Sequence, residues 1–324
     1  MLTTTIWTVL LLFLSRANSA PLGTELENRV MRITAPAGFS QVLFLDDFSS
    51  QEAGALPSSS KWNIDTGTSY PGGPAHWGTN EIQTYTDSPA NIAITPNGTL
   101  RITPLYGESS GKSKARGGWT SARIETTAAH NFSCQPGARL RMEATLRVGS
   151  APAAAQMGIW PAFWSLGAAF RGHYEDWPRA GEIDILETLN GAPTVWQTVH
   201  CGTAPAGGPC HETDGIGATA PLSRGGQWHT VAVEIDRTNA AGDWREETIT
   251  WFVDGDATFH VSGAVVGDLD AWTSLARAPR FLLLNVACGG SFPDAVARTR
   301  TPTSQTAGGE GSAMEVKYVA VFST

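Results

Sequence analysis

Basic residues are scarce in this chain. Its 324 residues carry 22 Lys and Arg against 30 Asp and Glu, a formal net charge of −8. A surface of that sign does not draw nucleic acid, anionic membrane or sulfated polysaccharide through its overall field, so a neutral substrate fits better. Long apolar runs are missing too. The run Ile6 to Leu14 is too short to span a bilayer and no later stretch qualifies, so no membrane association is expected. Small and polar residues, Ala17-Asn-Ser-Ala20, follow that run, and residues 1–20 read as a secretory signal with cleavage near Ser19 or Ala20. No Lys or Arg precedes the run, which is atypical for such a signal. Removing residues 1–20 takes away Arg16 and no acid, leaving 21 basic against 30 acidic residues, a net −9.

Helical periodicity is nearly absent, with only Asp268 to Ala276 suggesting a short helix. No composition break, linker, repeat or low-complexity tract divides the chain. The expectation is a surface segment over residues 21–40, then one domain over residues 41–324, acting as a monomer. Cysteine is limited to four residues, which in an exported chain suggests disulfides. Cys201 and Cys210 bracket a Gly/Pro-rich loop that would gain from a staple. His200 and His211 flank them, so a zinc site is the competing reading, although an oxidising compartment favours the bridge. Whether Cys134 and Cys288 pair is not readable. No metal or cofactor is expected. Asn97-Gly-Thr and Asn131-Phe-Ser are N-glycosylation acceptors in a eukaryotic host.

What is present in quantity is turn chemistry, with 35 Gly and 19 Pro. Between the turns lie many short strand-like runs, among them Gln41 to Phe48, Ser121 to Thr126, Leu140 to Val148, Gly158 to Ser165, Trp228 to Ile235, Arg280 to Ala287 and Met314 to Phe322. Asn97-Gly98 and Asp254-Gly255 are hairpin turn signals. The pattern argues for an all-β, two-sheet sandwich. Two motif matches fail on context. Gly107-Glu-Ser-Ser-Gly111 has the letters of a nucleophile elbow but no helix after it. Gly111-Lys-Ser has three residues between its glycines where a phosphate loop needs four.

The acids are concentrated in Trp177-Pro-Arg-Ala-Gly-Glu-Ile-Asp-Ile-Leu-Glu187. Alternate side chains of a strand share a face, so Glu182 and Asp184 point one way, and Ile183 and Ile185 point the other. Glu187 is one residue out of phase, and a β-bulge would restore it to the acidic face. A solvated strand face is the usual fate of alternating acids. Three buried acids side by side are costly to ionise, however, and a fold rarely gathers them for stability. Glu182 and Glu187 therefore read as a paired-carboxylate catalytic site, with Asp184 tuning protonation between them.

Twelve Trp is high for this length. Trp160 and Trp164 precede the acids with Trp177; Trp196 and His200 follow them. Flat aromatic faces stack on the C–H faces of sugar rings. Core packing accounts for most of the twelve, and Trp62, Trp228 and Trp251 in particular lie in strand patterns. Paired carboxylates beside exposed aromatics point to glycoside hydrolysis, in which one acid protonates the leaving oxygen and the other attacks the anomeric carbon or activates water. A flat strand would hold positions 182 and 187 too far apart, so a bulge and curvature must bring the carboxyls to about 5–5.5 Å if configuration is retained.

Gly181-Glu-Ile-Asp-Ile-Leu-Glu187 resembles the bulged, laminarinase-type signature of glycoside hydrolase family 16. The resemblance extends over most of residues 40–324, through Trp77-Gly-Thr-Asn-Glu81, Ser121-Ala-Arg-Ile-Glu-Thr126, Gly158-Ile-Trp-Pro-Ala-Phe-Trp164, Trp228-His-Thr-Val-Ala-Val-Glu234 and Asn285-Val-Ala-Cys-Gly-Gly290. The chain looks most similar to secreted fungal endo-β-1,3(4)-glucanases. The resemblance implies a concanavalin A-like β-jelly roll with a concave carbohydrate cleft, and a retaining mechanism on β-1,3- or mixed β-1,3/1,4-glucan. It implies Glu182 as nucleophile, Glu187 as general acid/base and Asp184 as a hydrogen-bonding partner near the nucleophile. Like-charge proximity should then raise the pKa of Glu187. Trp177 matches a substrate-stacking tryptophan and His200 a substrate-contacting histidine. Trp160, Trp164, Asn80, Glu81, Arg123 and Asn285 are further cleft candidates. One departure concerns calcium: where many members carry an Asp in the last strand, this chain has Lys317. A cell-wall transglycosylase and a non-catalytic glucan-binding lectin on the same fold are the alternative functions.

Overall fold

Alternating apolar residues, broken by glycine turns, give antiparallel sheets in the computed structural model, which describes residues 33–107, 118–204, 207–239 and 242–324. Residues 1–20, residues 21–32 of the surface segment, and the serines of the Gly107–Gly111 motif with the adjoining Gly111-Lys-Ser lie outside the described residues. Ile33–Thr324 is one compact unit.

Two large sheets make up the sandwich. One is seven-stranded, in the spatial order Ile216–Pro221, Thr194–His200, Glu182–Glu187, Ile159–Gly167, Arg280–Cys288, Arg123–Thr126 and Trp62–Asp65. The other runs Asp256–Ser262, Thr248–Val253, His229–Asp236, Arg139–Arg147, Met314–Ser323, Leu100–Ile102 and Ile92–Ile94, with Gln41–Asp46 also pairing on Met314–Ser323. Neighbours in both sheets are antiparallel, many of them far apart in sequence, as in a jelly roll. Both turn signals make hairpins. Ile92–Ile94 pairs with Leu100–Ile102 around Asn97-Gly98, and Val253 faces Asp256 across Asp254-Gly255. Asp254 at φ 53° and Gly255 at φ 93° both occupy the left-handed region that a tight two-residue hairpin turn requires.

The period of two sorts the seven-stranded sheet into two faces. Along Arg280–Cys288, Leu282, Leu284, Val286 and Cys288 join the central core, while Phe281, Leu283, Asn285 and Ala287 face the other way. Along Ile159–Gly167, Ile159 and Phe163 go to the core; Trp160, Ala162, Trp164 and Leu166 line the cleft. Every residue of Arg280–Cys288 is buried, so the sheet is covered on its cleft side as well. The tail of the N-terminal segment covers part of the opposite sheet's outer face, where Phe39 packs on Phe322 at 6.5 Å.

Two expectations need correction. Trp62 and Trp251 are core residues at 1% and 0% exposure, but Trp228 is half-buried outside the core. Arg147 and Lys317 lie over its ring at 4.8 Å and 4.3 Å, which is cation–π packing and not burial. The segment Asp268 to Ala276 does form a helical turn (Leu269–Trp272), capped by Asp268, but it is not alone. Ser291–Ala297 is also helical, and its Pro293 sits in the first turn, where no intrahelical N–H is needed. The run from Glu81 to Thr86 contributes only Thr84–Tyr85 as strand, because Glu81 and Gln83 turn inward to polar partners.

Candidate active site

The acidic strand Glu182–Glu187 carries the bulge that its spacing demands. Against Ile159–Gly167, Phe163 pairs with Leu186 and Trp164 with Asp184, so Ile185 is the inserted residue. On the other side, Asp184 pairs with Thr198 and Glu187 with Trp196, leaving Ile185 and Leu186 opposite Gln197 alone. Ile183, Ile185 and Leu186 are all fully buried in the core. Glu182, Asp184 and Glu187 all line the cleft. A bulge interrupts the ladder, and here Trp251 of the opposite sheet donates its Nε1–H to the Asp184 carbonyl at 2.7 Å. Gly181 leads into the strand at φ 77°, and a Cβ there would lie 2.6 Å from the Ser274 carbonyl oxygen. No other residue fits before Glu182 without moving backbone.

Two indoles hold the outer acids. Trp160 Nε1–H donates to Glu187 at 2.8 Å, and Trp177 Nε1–H donates to Glu182 at 3.2 Å. Asp184, 3% exposed, has an Oδ2 with no hydrogen-bond partner; its nearest cation is His200, whose Nε2 lies 3.5 Å away. Glu212 accepts from His200 Nδ1 at 2.8 Å.

Burial is the largest influence on all three carboxyls and pushes each up. Glu187 is raised from 4.5 to about 7; its Trp160 hydrogen bond and His200 oppose the rise, and the charges of Glu182 and Glu81 add to it. Asp184 is raised well above the usual carboxylate range by burial and then by Glu187, Glu182 and Glu212. Glu182 is raised less simply, since His200, Arg123 and the Trp177 hydrogen bond counter its burial and the charge of Glu212. The expectation that like-charge repulsion would single out Glu187 therefore needs correcting. Desolvation acts on the whole trio, with repulsion second to it.

The cleft walls are aromatic. Trp160, Trp164 and Trp177 line it with Glu81, Arg123 and Asn285. Trp164 Nε1–H donates to Asn285 Oδ1 at 2.8 Å; Asn285 Nδ2 donates to Tyr85 Oη at 3.1 Å; Tyr85 Oη–H donates to Glu81 at 2.8 Å. This chain of bonds fixes the Trp164 ring from below. Arg123 is caged between the rings of Trp77, Trp164 and Tyr70 at 4.5, 4.8 and 5.2 Å and paired with Asp65 at 3.2 Å. It is 4% exposed, so it backs the wall more than it fronts it.

Two candidates lie elsewhere. Asn80 is exposed and donates to Ser291 Oγ at 2.9 Å, tying its loop to the helix Ser291–Ala297. His200 lies behind Trp177, ring centroids 5.5 Å apart, and is not among the residues lining the cleft. Sequence reasoning missed Tyr70, Trp77 and Tyr174 as lining residues; Tyr70 and Tyr174 stack at 4.1 Å and 8°. Trp77 and Tyr70 come from irregular loops, where no periodicity marks a face. Glu212 was missed for the same reason.

Cys201 and Cys210 form the disulfide, with Cα atoms 5.3 Å apart; Cys134 and Cys288 are each free and buried. Both thiols that a zinc site would have used are thus committed to each other. Asn97 and Asn131 are exposed. Among the described residues, the donor atoms placed to share an ion belong to Glu182, Asp184 and His200, mutually within 4.8 Å. At the last strand Lys317 puts an ammonium over Trp228, in place of the carboxylate a calcium ion would use.

A β-sandwich with carboxylates paired across a bulge, in a cleft walled by tryptophan, defines a polysaccharide-cleaving glycosidase site. A family profile described as XgeA-like, catalytic GH16 domain, matches residues 143–220. An endo-1,3-β-glucanase structure from Streptomyces sioyaensis is 42% identical, covers 90% of this chain and 98% of its own, and superposes with a TM-score of 0.80. The endo-β-1,3-glucanase of Pyrococcus furiosus is 26% identical over 87% of this chain and 94% of its own, at a TM-score of 0.64. A glucan endo-1,3-β-glucosidase A1 of Niallia circulans is 28% identical over 300 residues, 87% of this chain; the match spans 37% of that longer protein. The chain belongs to glycoside hydrolase family 16, in its laminarinase-like branch, and is a glycoside hydrolase.

Proposed function

We propose that this chain is a secreted endo-β-1,3-glucanase that cleaves internal linkages of β-1,3- or mixed β-1,3/1,4-glucan with retention of configuration. The observation that carries the reading is the bulge at Ile185, which puts Glu187 on the same face as Glu182. Glu187, raised to about 7 and oriented by Trp160, holds a proton at mildly acidic pH and delivers it to the glycosidic oxygen. Glu182, oriented by Trp177 and the more solvent-accessible acid, attacks the anomeric carbon. Glu187, now a carboxylate, then takes a proton from the water that releases the sugar. Asp184 keeps its own proton, so the trio does not carry three charges at once. Trp164 and Trp177 offer ring faces to pyranose rings, and the net negative charge suits a neutral glucan partner over nucleic acid. The apolar N-terminal run and the disulfide both favour export, and the enzyme acts as a monomer.

The test is release of reducing ends from laminarin, barley mixed-linkage glucan, xyloglucan and chitin, with product sizing. Laminarin cut to mixed short oligosaccharides is expected, with both Glu182→Gln and Glu187→Gln inactive but folded. Products longer than the starting oligosaccharide would indicate transfer to sugar instead of water. Substantial turnover by either variant would overturn the assignment.

A further inference from the structure

Glu212 lies on the return of the loop that leaves the strand Thr194–His200, two residues after Cys210. Its side chain is completely buried. One carboxyl oxygen accepts from His200 Nδ1 and the other from the Cys201 backbone N–H, each at 2.8 Å. A carboxylate is an odd thing to bury beside three catalytic acids, because it adds a fourth like charge. The Cys201–Cys210 bridge, itself fully buried, brings the loop back so that this carboxylate meets the imidazole. Gly215, at φ 75°, completes the seat, since a Cβ there would lie 2.8 Å from His200 Cε1.

His200 faces the acids directly, and Arg123 is a second cation acting on Glu182. His200 pairs with Glu182 across the sheet and its Nε2 faces Asp184 Oδ2 at 3.5 Å. The ionisable groups facing its ring are Glu182, Asp184 and Glu187 from the acidic strand and Glu212 from the loop, and the Trp177 ring packs beside it. We propose, resting on the glucanase reading above, that Glu212 is a positioning residue for the reaction. It fixes the proton on His200 Nδ1, keeps the ring cationic with Nε2–H toward the acids, and so lets Glu182 ionise in a buried site beside the protonated Asp184. The disulfide is what holds the loop, and hence Glu212, in register with His200. Burial alone would discharge His200, whereas the Glu212 hydrogen bond and the surrounding carboxylates lift its pKa above the ordinary value.

The experiment compares wild type, Glu212→Gln and Glu212→Asp on laminarin from pH 4 to 8, with Glu182→Gln as the control. Glu212→Gln is expected to lose about tenfold in kcat with KM within about twofold, the size of one charge-assisted hydrogen bond. Its acid limb is expected to move to higher pH, because the nucleophile loses the His200 charge that lowers its pKa. Glu212→Asp, which keeps the charge, should hold the wild-type limb and recover part of kcat. An unmoved limb and unchanged kcat in Glu212→Gln would overturn the proposal, as would a loss that Glu212→Asp shares with no limb difference. Long-range nitrogen–proton NMR of the folded wild type gives an answer independent of any variant. His200 should keep its Nδ1 proton and titrate above the ordinary imidazole value, and a ring without that proton at pH 6 would overturn the proposal. An active Glu182→Gln control would instead refute the glucanase mechanism itself.

Discussion

Trp251 is remote from the cleft, yet replacing it with Phe should damage the active site from behind. The indole donates to the Asp184 carbonyl, next to the inserted Ile185. Phe retains most of the apolar volume but has no donor, so the carbonyl of the buried Asp184 loses this partner. That penalty is about 1–3 kcal/mol, and with the smaller ring's lost packing the total is about 2–4 kcal/mol. For a chain of this size about 2 °C is lost per kcal/mol, so the melting temperature should fall by about 4–8 °C. The strand can recover by straightening, which turns Glu187 out of the catalytic face. A displacement of about 1 Å at such a group costs about a hundredfold in rate. Trp251→Phe should therefore show a large fall in kcat with KM nearly unchanged, read by laminarin hydrolysis beside a thermal melt. A variant with wild-type melting temperature and wild-type kcat would refute the idea that this bond holds the bulge.

The alkaline limb of kcat/KM should fall as pH rises through about 7, where Glu187 loses the proton it donates. Stability should change in the same direction. Folding raises this carboxyl above its value of 4.5 in the unfolded chain, so its stabilising contribution is full below 4.5 and is lost as pH rises through about 7, which denaturant melts across that window would detect. Replacing both Cys201 and Cys210 with Ala should cost about 2–3 kcal/mol by the loop-entropy argument, measurable as a lower denaturation midpoint. Arg123→Met should destabilise by about 3–5 kcal/mol by leaving Asp65 buried without its cation. Its surviving folded fraction should bind glucan more weakly, seen as a raised KM, since the Trp77 and Trp164 rings lose the guanidinium between them.

Features set by local chemistry were legible in the sequence. Asn97-Gly98 and Asp254-Gly255 announce their hairpins because few residues take a positive φ. The apolar run Arg280 to Ala287 reads as a strand, and the single misplaced acid at 187 predicts a bulge. The cysteines on either side of a nine-residue separation predict their bridge. What could not be read depends on contacts distant in sequence. Nothing around Trp251 says that its indole will reach the Asp184 carbonyl 67 positions away. Trp228 has a strand context identical to that of a core residue, and only Arg147 and Lys317 arriving from other strands leave it half-buried. Asn80 sits inside a motif shared with cleft residues, but its positive φ turns it toward Ser291. Glu212 and Tyr70 lie in loops whose course is set by a disulfide and by ring stacking, neither of which leaves a period.

The central claim is that Glu182 and Glu187 face one substrate from one side as nucleophile and acid/base. Azide rescue of Glu187→Ala tests it most directly, using an aryl laminaribioside whose leaving group needs no protonation. With Glu182 forming the glycosyl-enzyme, azide should enter from the opposite face and give a glycosyl azide of retained β configuration, identified by proton NMR. An α-glycosyl azide would show direct displacement without a covalent Glu182 intermediate and would contradict the account.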